Sequence, residues 1–197
     1  MGDQVTVGWV LLDILRTMVV LLPAMTANTF APFTGGRGTC VDFGRSRPDG
    51  RRYLGDGKTW SGFIGGSLGA AALGFLLLII MDVSGILPIT NSLWGAFPHN
   101  IILIVAMAVG SLVGDMIGSF FKRMMDRPRG MRTPFLDQWD YLLGSALFIL
   151  PFYPWWYDTL VADHHWIALL IFPAIAYAAH VIANRIGFWI GVKKEPW

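Results

Sequence analysis

Charge and cysteine are scarce in this chain of 197 residues, and each scarcity excludes something. The single cysteine, Cys40, rules out an intramolecular disulfide framework, and His164 and His165 have no cysteine or acidic partner at zinc-ligand spacing. Charged residues make up 14% of the chain against 54% hydrophobic, with a mean hydropathy of +0.54, which excludes an ordinary soluble domain. No long basic tract interleaved with aromatics is present, so a nucleic-acid partner is not expected. The segment ahead of the first apolar run carries Asp3 and no basic residue, and Asp13 with Arg16 interrupts the run itself. That pattern argues for a first membrane span over a cleaved signal peptide. Two stretches, Asp82–His99 and Tyr157–His165, contain no lysine or arginine at all.

What remains is apolar sequence in long blocks. A hydrocarbon core of about 30 Å needs roughly 20 helical residues. Five segments meet or approach that length: Val7–Met25, Gly62–Met81, Asn100–Phe121, Tyr141–Trp156 and Trp166–Ile190. Pro151 and Pro154 weaken the second half of the fourth. The basic residues then fix a topology. Arg37, Arg45, Arg47, Arg51, Arg52 and Lys58 lie between the first two spans, Lys122, Arg123, Arg127, Arg129 and Arg132 between the third and fourth, and Arg185, Lys193 and Lys194 at the C-terminal end. The expectation is an all-α integral membrane protein, a single polytopic domain over residues 1–197. It has five transmembrane helices, an external N-terminus, a cytoplasmic C-terminus and two functional cytoplasmic loops, 26–61 and 122–140. Tryptophans at 60, 94, 139, 155, 156, 166, 189 and 197 fall mostly at span ends, as interfacial anchors do.

The polar residues concentrate in a few places. On the third span Ser111, Asp115, Ser119 and Lys122 recur at helical spacing and share a face, while Gly110, Gly114 and Gly118 form a second stripe suited to helix packing. Asp137 and Asp140 share a face at the start of the fourth span. Either alone could be a helix cap; together, near Asp115 and Lys122, they suit a divalent cation such as Mg²⁺ with hard oxygen ligands. Ionisable groups in or at the edge of a span mark a site or a paired contact. Asp13 and Arg16, one turn apart, read as such a pair, and His180 with Asn184 as another structural contact.

In the first loop, Gly55-Asp-Gly-Lys-Thr59 has the look of a phosphate loop, its glycines exposing backbone N–H groups and Lys58 adding charge, with an ordinary interfacial lysine as the alternative. It is not a Walker A motif, which needs a glycine where this chain has Arg52. Phe33, Phe43, Tyr53, Trp60 and Phe63 give that loop apolar surface for docking. Pro23-Ala-Met-Thr-Ala-Asn-Thr-Phe-Ala-Pro32 is expected to break the helix at the membrane surface. Asn28 there offers the donor and acceptor that recognition of a base or sugar requires, or a plain helix cap.

Pro23-Ala-Met-Thr-Ala-Asn28, then Asp49-Gly-Arg-Arg-Tyr-Leu-Gly-Asp-Gly-Lys-Thr-Trp-x-Gly-Phe63, then Gly114-Asp-x-x-Gly-Ser-Phe-x-Lys-Arg123 … Arg129-Gly … Pro134-x-x-Asp-Gln-x-Asp140 closely resemble the archaeal CDP-archaeol synthase family. More distantly, Ser119-x-x-Lys122-Arg123 and Asp137-Gln-Trp-Asp140 resemble part of the phosphatidate cytidylyltransferase signature. The Lys-Asp and His-Gly-Gly elements of that signature have no match here. The resemblance implies transfer of a cytidylyl group from CTP to 2,3-di-O-geranylgeranylglycerol 1-phosphate in the cell membrane, with the active site on the cytoplasmic side. It implies Mg²⁺ on Asp115, Asp137 and Asp140, with Asp56 as the alternative to Asp115. Lys122 joins those carboxylates as a catalytic group. It also implies that Asn28, Asp56, Lys58, Thr59, Ser119, Lys122 and Arg123 bind CTP. The expected partners are CTP, an isoprenoid ether lipid phosphate and membrane lipids. Two other readings remain: a CDP-alcohol phosphotransferase, whose motif starts at Asp49-Gly50 but meets Tyr53 where alanine is needed, and a small membrane transporter.

Overall fold

The computed structural model describes residues 6–36, 38–86, 92–127 and 133–190. The regular elements among its described residues are all helices, with isolated bridges and no strand: α1 (Val7–Val20), α2 (Leu22–Thr34), α3 (Trp60–Val83), α4 (His99–Met124), α5 (Pro134–Ile149), α6 (Tyr153–Leu160) and α7 (Trp166–Trp189). Short 3₁₀ turns, Leu150–Phe152 and Ala162–His164, precede α6 and α7. The chain divides into two compact units, one of Val20–Trp156 and one of Met1–Val19 with Tyr157–Trp197. At 24 and 26 residues, α3 and α4 are about 36 and 39 Å long and apolar enough to cross a membrane. Two further candidates arise if α1 with α2, and the segments on either side of Val161, each count as one span.

Helix boundaries correct the expected first span and first loop. The helix breaks at Leu21, before Pro23, and restarts at once as α2, so residues 26–34 are helical. Pro23 stands in the first turn of α2, where its missing N–H removes no hydrogen bond, and Pro32 is tolerated near the other end. The second loop is also shorter than expected: Lys122 and Arg123 form the last turn of α4, where cations complement the helix dipole, and α5 begins at Pro134. Arg37, Arg129, Arg132, Lys193, Lys194 and Trp197, and the side chains of His180 and Asn184, lie outside the described residues.

Within Val20–Trp156, helices meet through small residues and turn their large apolar side chains outward. Ile64, Leu68, Leu76, Ile79 and Ile80 on α3 and Ile101, Ile102 and Ile117 on α4 are exposed, as lipid-facing residues should be. Ala27, Ala70, Ala108 and Leu112 form a buried centre covered by Phe30, Ala31 and Phe63. A Cβ on Gly66 would stand 2.9 Å from Ala27 O and Ala31 Cβ, so α2 and α3 can approach this closely only because Gly66 has no side chain. Buried hydroxyls bridge helices: Ser111 Oγ donates to Ala24 O at 2.7 Å and Ser145 Oγ to Met107 O at 2.9 Å. Trp94 departs from the anchor expectation. It is fully buried, and its Nε1 donates to Val20 O at 2.9 Å.

The other unit packs Leu160, Ala168, Phe172 and Ala176. Here the expected Asp13–Arg16 pair (3.6 Å) has a third member. His165 Nδ1 lies 2.7 Å from Asp13 Oδ1, its Nε2 lies 2.8 Å from Arg16, and its ring stacks on Trp9 at 5.6 Å.

Candidate active site

Every residue assigned to the site from sequence lies in the Val20–Trp156 unit. Its foundation is the seam between α4 and α5. A Cβ on Gly110 would meet Gly144 O at 2.7 Å and Ser145 Cα at 2.9 Å; one on Gly114 would meet Gly144 Cα at 2.9 Å; one on Gly118 would meet Asp140 Cβ at 2.8 Å. The glycine stripe is therefore a packing surface, as its spacing predicts, and it also seats Asp140. Gly144 completes the seam from α5; it was not singled out in the sequence because no periodic partner accompanies it there.

The carboxylates and lysines interleave on this seam. Lys122 Nζ lies 2.5 Å from Asp137 Oδ1 and 3.8 Å from Asp140 Oδ2. Asp137 is not the N-cap of α5, which is Thr133, but its Oδ2 reaches back to accept from Thr133 N at 2.8 Å. Asp140 Oδ1 accepts from Tyr141 N at 2.7 Å, while Oδ2 is buried with no hydrogen-bond partner. Asp115 pairs with Lys58 from the first loop. Ser119 is buried one turn along α4 from Asp115. Among the described residues no group of three histidine, cysteine or acidic side chains forms a ready metal cage; each carboxylate meets a lysine instead.

The described part of the first loop rests on the end of α4. Tyr53 stacks on Phe120 at 6.3 Å, Arg47 donates to Arg123 O at 3.0 Å, and Arg51 pairs with Asp126. The Cβ position of Gly55 lies 3.9 Å from Arg123 Nε, a buried N–H without an acceptor. Gly55 itself has φ +91, a left-handed turn that a side chain would strain. Phe43, Trp60 and Phe63 form an aromatic run along the loop's other edge. Thr59 is occupied structurally: it caps α3, its hydroxyl accepting from Gly62 N at 3.2 Å. Asp56 is exposed and pairs with Arg52 at 2.5 Å. Asn28 lies inside α2, partly exposed, so it is not a cap; its side chain makes no hydrogen bond to a described residue, the carboxylate–lysine cluster included.

Asp42 and Arg52 had no role assigned from sequence. Asp42 accepts from Gly44 N and Leu54 N, both at 3.2 Å, and from Arg52. The Asp-x-Gly spacing of Asp42-Phe-Gly44 is the local signal, an aspartate turning back onto a backbone N–H two residues on. Burial alone raises the Asp42 pKa, but the Arg52 hydrogen bond and the two backbone N–H groups outweigh it and hold the carboxyl below its ordinary value.

A helical bundle of membrane-span character, with lysines, an arginine and carboxylates gathered beside a glycine-turned loop, has the make-up of a membrane protein whose polar cluster suits a phosphorylated ligand. The family model described as CarS-like, CDP-archaeol synthase, matches residues 10–197, and the chain belongs to that family. Similar curated proteins named CDP-archaeol synthase include that of Methanospirillum hungatei, 39% identical over 178 residues (90% of this chain, 100% of that protein). Another, from Archaeoglobus fulgidus, is 38% identical over 186 residues (93% and 98%), and one from Pyrococcus horikoshii is 35% identical over 185 (94% and 98%). A solved structure described as an intramembrane enzyme for archaeal membrane lipids biosynthesis superposes with a TM-score of 0.66 at 33% identity, covering 87% of this chain and 94% of that one.

Proposed function

We propose that this protein transfers a cytidylyl group from CTP to the phosphate of 2,3-di-O-geranylgeranylglycerol 1-phosphate, giving unsaturated CDP-archaeol and pyrophosphate. The observation that carries the reading is the interleaved cluster of Asp115, Asp137, Asp140, Lys58 and Lys122 in a chain matched by the CDP-archaeol synthase family model over residues 10–197. A phosphate oxygen of the lipid attacks the α-phosphorus of CTP; the bond from that phosphorus to the bridging oxygen breaks, and its electron pair leaves with pyrophosphate. Such a reaction asks a protein for in-line positioning and for neutralisation of the triphosphate and the leaving group.

Lys58, Lys122 and Arg123 are the cations in this reading, the unused Arg123 Nε–H being a donor free for a phosphate oxygen. Asn28, with Asp56, Thr59 and Ser119, borders the nucleotide; Thr59 contributes by fixing the start of α3. A divalent cation fits the donor set. Asp115, Asp137 and Asp140 supply hard oxygens, and Asp140 Oδ2 is buried with no hydrogen bond to lose. Bound there, Mg²⁺ supplies Lewis-acid polarisation of the phosphoryl oxygens. The chain's own part is to exchange partners: lysines that hold carboxylates in the free protein hold phosphates when CTP enters.

The protein is proposed to span the cell membrane five times, with the site facing the cytoplasm, because that arrangement puts every basic loop on one side. Cys40, the single cysteine, reports on it: in sealed inverted vesicles a membrane-impermeant maleimide should label Cys40, and labelling in right-side-out vesicles instead would reverse the orientation. The activity itself is tested with purified protein, labelled CTP, Mg²⁺ and the lipid phosphate. A CDP-lipid that disappears with EDTA is the expected result. Absence of product and of CTP binding would remove the enzyme reading.

A further inference from the structure

The segment that delivers Lys58 to the site is fastened at three points, and one side chain is responsible for two of them. Thr39–Val41 runs antiparallel to Lys58–Trp60, with Val41 N donating to Lys58 O at 2.9 Å and Trp60 N to Thr39 O at 3.1 Å. The next residue, Asp42, grips the opposite end of the turn, one oxygen accepting from Leu54 N at 3.2 Å and the other from Arg52. Arg52 extends its second nitrogen to Asp56 at 2.5 Å, so the carboxylate holds the middle of the turn as well. Lys58 N donating to Gly55 O at 3.3 Å closes the turn between these anchors. The Asp42 side chain is only 5% exposed, and all its partners are loop groups. It is turned inward on the loop and holds no group of the carboxylate–lysine cluster.

We propose that Asp42, acting through Arg52, is a positioning residue for Lys58, an inference that rests on Lys58 binding a CTP phosphate. A lysine on a flexible four-carbon stem reaches a phosphate with useful frequency only if its backbone origin is held still. The Asp42–Arg52 clamp holds it, with a charge-assisted pair that a neutral side chain cannot reproduce.

The test uses the full chain purified in detergent, with KM and kcat for CTP and the melting temperature measured for Asp42→Asn, Arg52→Gln, Lys58→Gln and the double variant Asp42→Asn/Lys58→Gln. Lys58→Gln should raise KM for CTP about tenfold, as loss of a charged hydrogen bond does. Asp42→Asn and Arg52→Gln should each raise KM by roughly threefold to tenfold with kcat much less affected. The double variant should be no worse than Lys58→Gln alone, because a residue acting through Lys58 has nothing left to position. Arg52→Gln leaves both backbone bonds to Asp42 in place, so it carries the test if Asp42→Asn does not fold. Wild-type KM in the folded clamp variants beside a raised KM in Lys58→Gln would overturn the proposal, as would effects that multiply in the double variant. A silent Lys58→Gln would sink the Lys58 assignment and the proposal together, and that single variant distinguishes the two failures.

Discussion

Asp13 and Asp140 each have one oxygen buried without a hydrogen-bond partner, yet their surroundings differ in kind. Around Asp13 a single carboxylate meets His165 and Arg16, and Trp9 closes over the imidazole. Around Asp140, Lys122 is shared with Asp137, Lys58 joins through Asp115, and a loop with a left-handed glycine stands near Arg123. One carboxylate bridged to two basic groups is a staple. Three carboxylates interleaved with lysines, in a bundle otherwise joined by glycine, alanine and hydroxyls, exceed any structural need. Because every ionisable group moved out of water costs several kcal/mol unless compensated, such an excess is the physical argument for the site proposed above.

The comparison breaks most directly at its two aspartates. Asp140→Asn should reduce CDP-lipid formation by at least about 10³-fold, the scale of losing a preorganised charge at the reacting centre, while the protein still folds. Activity within about tenfold of wild type would remove Asp140 from the site. The seam comes next. Gly118→Ala puts a methyl group against the Asp140 side chain and should destabilise the bundle by roughly 1–3 kcal/mol, read as a lower melting temperature with reduced turnover. An unchanged melting temperature would mean that α4 and α5 are not held this closely. Asp13→Asn should cost about 2 kcal/mol of stability, the worth of charged hydrogen bonds, and leave turnover per folded molecule within roughly threefold of wild type. Lost turnover in a fully folded Asp13→Asn protein would erase the distinction drawn between the two clusters.

The smallest effect concerns acid. The Asp42 carboxyl sits below its ordinary value of 3.8, so its contribution to stability is present above that value and is lost as pH falls through the lower folded-state value. Asp42→Asn abolishes this dependence. Proteolysis of the first loop followed from pH 5 to 3 should therefore show an acid-induced opening in the wild type, against a loop in the variant whose susceptibility Asp42 no longer makes pH-dependent. Matching pH profiles would show that Asp42 does not hold the loop through its charge.

Much of this was legible because it is local. Apolar runs of roughly 20 residues announce helices wherever they occur, and the 3.6-residue period put Ser111, Asp115, Ser119 and Lys122 on one face of α4. The break at Leu21 was misplaced because two prolines and three polar residues in Pro23–Pro32 look like a helix end. Prolines in the first turn and near the last residues of a helix are compatible with it, and only packing of Ala24 and Ala27 shows α2 continuing. Trp94 looked like an anchor, since sequence does not say whether an indole faces lipid or fills the core. His165 could not be matched with Asp13 at a separation of 152 residues, nor Gly144 with the stripe on α4.

The sequence by itself determined the helical membrane character, the placement of basic charge and the family, because hydropathy, charge and motif order are properties of neighbouring residues along the chain. Tertiary structure decided which charges meet. Lys58 finds Asp115 across 57 residues, and Lys122 finds Asp137 and Asp140, only because glycines let α4 and α5 approach backbone to backbone and Asp42 with Arg52 ties down the loop. Those contacts depend on packing distances of a few ångströms, which no local pattern encodes.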